Sequence, residues 1–69
     1  MSDNSATLDE QIAEVSRECA MRERVYATWV LKGKMKLEDS QRQIRRMRAV
    51  LATLEKLRAE ERAKQPELF

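Results

Sequence analysis

Leu31-Lys32-Gly33-Lys34-Met35-Lys36 holds the only glycine of a 69-residue chain. On either side the apolar residues recur at helical spacing; through this stretch they do not. Glycine lacks a Cβ and so reaches the left-handed backbone conformation in which many helices end. Lys32, Lys34 and Lys36 supply cations where the negative end of a helix dipole favours them. The stretch therefore reads as the bend of an antiparallel two-helix hairpin, and the fold class as all-α.

Upstream of the bend, Thr7-Leu8-Asp9-Glu10 fits a capping box. In such a box the Thr hydroxyl accepts from the N–H three residues on, and the Glu side chain reaches back to the Thr N–H. From there Leu8, Ile12, Val15, Cys19, Tyr26 and Trp29 follow alternating steps of four and three, with Arg22 in the one polar place. Arg22 can run its stem across the core edge or pair with Glu18 one turn back. Cys19 sits on the seam and reads as a small core residue, because no histidine is present to activate a thiolate. Downstream, Leu37, Ser40, Ile44, Met47, Leu51 and Leu54 form the second seam, which Val50 and Leu57 widen. Lys36 is a weak cap for this helix, and Pro66 ends it. The expected organisation is a disordered lead-in over 1–6 and a hairpin over 7–64. Its helices are expected over 7–32 and 37–63, its bend over 33–36, and a tail follows over 65–69.

Apolar residues near the bend cover more than one side of the first helix. Met21, Val25, Tyr26 and Trp29 are the candidate oligomer interface, because one partner helix covers only one side. A homodimer forming a four-helix arrangement is the simplest expectation. The competing reading is that these side chains close the end of a single hairpin core. A chain this short builds a thin core, which favours self-association or a partner.

Charged residues make up 38% of the chain and aromatics 4%, a composition suited to long solvated helices. Charge is unevenly shared. Residues 1–31 hold six acids and three bases, and residues 32–69 hold six acids and eleven bases. The two helices therefore attract, with positive charge left over on the second. A single cysteine forms no internal disulfide, which suits a reducing compartment. The polar start carries no signal-peptide pattern, and no apolar run approaches the roughly 20 residues of a membrane span. There is no histidine, glycine-rich phosphate loop or Cys/His metal spacing, so no catalytic apparatus, metal or cofactor is expected.

Two stretches remain as binding candidates. Arg42, Arg45, Arg46 and Lys56, with Ala49, Ala52 and Thr53, lie away from the seam of the second helix. This basic face with small residues is a candidate nucleic-acid surface, although no helix-turn-helix spacing accompanies it. The other stretch is Gln65-Pro66-Glu67-Leu68-Phe69, which resembles the short peptide by which polymerases, repair proteins and some phage proteins dock on the bacterial DNA sliding clamp. That pattern is Gln, two variable positions, then Leu-Phe. The resemblance implies that the Gln65 amide bonds at a pocket rim while Leu68 and Phe69 fill the apolar pocket. Pro66 stands where Leu is more usual. Two large apolar residues after a helix-breaking proline have no seam to join, which suits a docking tail. They could instead fold back on the hairpin near Leu8 or Leu57.

A second resemblance spans about residues 12–57. It rests on Glu18 to Tyr26, Trp29-Val30, Gly33-Lys34-Met35, Ile44, Met47 and Ala49-Val50-Leu51. These are similar to small helical proteins encoded by phages and prophages of Gram-negative bacteria. Members commonly have Pro where this chain has Ala27, and Ser or Thr where it has Lys36. The resemblance implies a non-catalytic accessory role in the host cytoplasm. The expected function is protein–protein interaction with the tail on the sliding clamp. Nucleic-acid binding and a purely structural assembly role are the alternatives.

Overall fold

The computed structural model describes residues 5–64. Two α-helices, α1 (Leu8–Leu31) and α2 (Leu37–Lys64), pack side by side and account for all regular structure among them. The molecule is an all-α antiparallel hairpin, 55 × 31 × 15 Å across its Cα atoms, so it is one helix layer thick.

Local chemistry starts α1 firmly. Thr7 is extended (φ −67°, ψ 162°) and its Oγ1 accepts from the Glu10 N–H at 3.0 Å. The Thr7 N–H donates in turn to Glu10 Oε1 at 2.8 Å, completing the capping box. The end of α1 is a Schellman motif. The Lys34 N–H donates to the Trp29 carbonyl at 2.8 Å and the Gly33 N–H to the Val30 carbonyl at 3.1 Å. Gly33 has φ +73°, and no other described residue has a positive φ. Space is not what requires glycine here, since a Cβ at Gly33 would meet nothing within 4 Å. Backbone conformation is the requirement.

Helix α2 starts with less help. The Lys36 carbonyl accepts from the Ser40 N–H at 3.0 Å, which makes Lys36 the N-cap, and a lysine offers no capping oxygen. Glu38 and Asp39 in the first turn complement the dipole, as Arg62 and Lys64 do in the last.

The core between the helices is thin. Ile12, Cys19 and Ser40 are the buried residues among those described, and none is fully enclosed. Val15, Tyr26, Ile44, Met47, Leu51 and Leu54 are half-buried along the same seam. Leu37 departs from expectation. It was expected to open the second seam and is instead exposed, because α1 has already ended at Leu31 and leaves nothing opposite it. Arg22 keeps its seam position by donating from Nε to Glu18 Oε2 at 2.6 Å, which also pushes its guanidinium pKa up.

Candidate interaction surfaces

Charge stitches the helices together along one side. Arg48 donates from Nε to Glu23 Oε2 at 2.8 Å and also from Nη2. Arg58 Nη1 donates to Asp9 Oδ1 at 2.9 Å, with Arg62 Nη2 3.9 Å from the same oxygen. Every one of these pairs joins an acid of α1 to a base of α2, the sign expected from the charge division of the chain. Each pair has at least one exposed partner, Arg48 or Asp9, with Glu23 and Arg58 half-buried, so each contributes about 1 kcal/mol or less and acts mainly on register.

The four residues expected at an oligomer interface divide into two kinds. Tyr26 is half-buried, and its hydroxyl donates to Gln43 Oε1 across the hairpin at 3.1 Å. Its ring stacks under Trp29 at 5.6 Å between centroids and 29° between planes. Trp29 is 44% exposed and Met21 42%, with Val25 half-buried between them at four-residue spacing. Tyr26 thus props an outward Trp29 and spends its polar atom within the chain. Val50 and Leu57 on α2 are also exposed.

The candidate nucleic-acid residues are all exposed on α2. Arg42 pairs with Asp39 one turn back. Arg45, Arg46 and Lys56 make no ion pair among the described residues. Arg48, which neighbours this cluster in sequence, is drawn away to Glu23. Gln65, Leu68 and Phe69 lie outside the described residues; α2 reaches Lys64, immediately before them.

Among the described residues, no group of three or more His, Cys, Asp or Glu side chains comes together as a metal site. No described helix is long and apolar enough to cross a membrane. No family model, curated protein or solved structure matches the chain.

Proposed function

We propose that this chain is a non-catalytic phage or prophage accessory protein that works by protein–protein interaction in the host cytoplasm. In this reading its hairpins pair into a four-helix arrangement, and Gln65–Phe69 docks on the host DNA sliding clamp. The observation that carries the interaction reading is an imbalance. Three described residues are buried, whereas Met21, Trp29, Leu31, Leu37, Val50 and Leu57 are large, apolar and exposed. A stable soluble hairpin covers such residues, and a partner supplies the missing cover. Support for the clamp comes from the five residues themselves, which begin where α2 ends.

The test is binding of the full chain to a purified bacterial sliding clamp, beside a chain stopped at Lys64. Micromolar or tighter binding that disappears with the tail is expected. Equal behaviour of the two chains removes the clamp from the proposal.

Nucleic-acid binding is the second reading, favoured by the exposed Arg45, Arg46 and Lys56, which make no ion pair among the described residues. It predicts affinity that falls steeply with salt and survives loss of the tail.

A further inference from the structure

We infer that a second copy of this chain seats on one particular side of the hairpin and runs head to tail, so that Trp29 of each copy rests on the groove beside Val15 and Leu54 of the other. This inference rests on the self-association proposed above and specifies its surface and direction; it does not depend on the clamp.

The hairpin has two unlike sides. Glu23 and Arg48 meet on one of them, beside Gln41, Ile44 and Arg45. Asp9 lies two heptads before Glu23, and Arg62 two heptads after Arg48. Each therefore falls close to the same strip of its helix. The cross-helix ion pairs among the described residues share this side. Val25 and Val50 each lie two positions beyond Glu23 and Arg48, about 200° further round their helices. Both therefore belong to the opposite side. Met21 and Trp29 join Val25 there at four-residue spacing, and Leu57 joins Val50 at seven. The exposed large apolar residues Met21, Trp29, Val50 and Leu57 thus share one side, and no cross-helix ion pair among the described residues lies on it.

That side is self-complementary in shape. Toward its open end Val15 and Leu54 floor a groove that reaches back to Val50 and is edged by Glu10, Gln11 and Glu14. At its bend end Trp29 stands out, held by Tyr26 beneath it. A protruding aromatic at one end and an apolar groove at the other fit a copy turned end for end, with Met21 and Val50 near the two-fold axis.

Charge selects the same direction. Glu10 and Glu14 edge the open end, whereas Lys34 and Lys36 line the hollow beside Gln43 at the bend, whose one acid, Asp39, is paired with Arg42. Gln43 lies seven residues before Val50, hence on the apolar side, and Arg46 borders it one turn before Val50. A two-fold axis across the hairpin sets Glu10 and Glu14 at the open end of α1 against Lys34 and Lys36 at the bend of the other copy. An axis along the helices would set like charge against like.

The experiment is a spin-label distance in the full chain. Cys19→Ala removes the native thiol and Lys32→Cys places the label at the bend on an exposed residue outside that hollow, with helicity checked by circular dichroism. The expected result is a dimer by light scattering with a label-to-label distance above about 30 Å, since α1 alone runs about 36 Å. A dimer with a shorter distance overturns the head-to-tail arrangement, and a monomer at hundreds of micromolar overturns the surface itself. In the second arm, Val50→Glu is expected to raise the dimer dissociation constant about tenfold or more, because the new carboxylate would be buried. Ala20→Glu, at an exposed residue in mid-helix and off this side, should leave it unchanged. An unchanged constant for Val50→Glu overturns the inference. A monomer that still binds the clamp removes this surface and leaves the tail reading intact; a head-to-tail dimer that ignores the clamp does the reverse.

Discussion

Glu23 and Arg48 meet across the hairpin with a single carboxylate oxygen, Glu23 Oε2, accepting from both Arg48 Nε and Nη2. The pair is exposed, yet it joins residues 25 positions apart and belongs to the strip that also holds Asp9 and Arg62. Its main physical effect is to choose which sides of the two helices face the same way.

A double-mutant cycle on this pair should therefore return a small coupling. Glu23→Ala and Arg48→Ala, singly and together, are expected to give an interaction energy of about 0.5 kcal/mol in urea unfolding, shrinking as salt rises. A coupling above about 2 kcal/mol would mean that the pair is desolvated, contrary to its exposure.

Gly33→Ala should destabilise the hairpin by about 1 kcal/mol, and Gly33→Asn by less. The whole cost arises from holding a Cβ at φ +73°, since nothing stands within 4 Å of it. Chemical denaturation at fixed protein concentration checks this, and concentration must be matched because association adds to apparent stability.

Lys36→Thr should stabilise the protein by about 0.5–1 kcal/mol. Lys36 already sits at the N-cap of α2, with Asp39 at the position three residues on. A hydroxyl there supplies the acceptor that Thr7 already provides at α1. A rise in melting temperature is the readout. No rise would mean that the first turn of α2 leaves no backbone N–H wanting.

Removing the Tyr26 hydroxyl should cost about 0.5–1.5 kcal/mol, because Gln43 loses its cross-helix donor. The ring in Tyr26→Phe still backs Trp29, so tryptophan emission at fixed concentration should stay close to wild type. A large spectral change would show that the hydroxyl, rather than ring stacking, sets the position of Trp29.

Features confined to one or two helical turns were legible in the residue string. The capping box needs only Thr7 and Glu10, the left-handed end of α1 only a glycine at 33, and the Glu18–Arg22 pair one turn of helix. The seams read correctly at the buried Ile12, Cys19 and Ser40 and failed at Trp29 and Leu37, both exposed: Trp29 stands outward on the Tyr26 ring, and Leu37 opens α2 where α1 has already ended. Helix spacing set Arg45 and Arg46 away from the seam, but that Arg48 crosses to Glu23 was not legible, because it depends on which flanks of the two helices adjoin. The Tyr26–Gln43 bond was likewise invisible, since it depends on how the two helices are rotated against each other.

Sequence alone determined two helices, where they turn, and the opposite signs that draw them together. Those properties come from caps, periodicity and composition, which act over about four residues or through net charge. Only the tertiary structure decided that the ion pairs gather on one side while Met21, Trp29, Val50 and Leu57 gather on the other. That outcome follows from the rotation of each helix about its own axis, which the packing of Ile12, Cys19 and Ser40 along the seam fixes once the two helices meet.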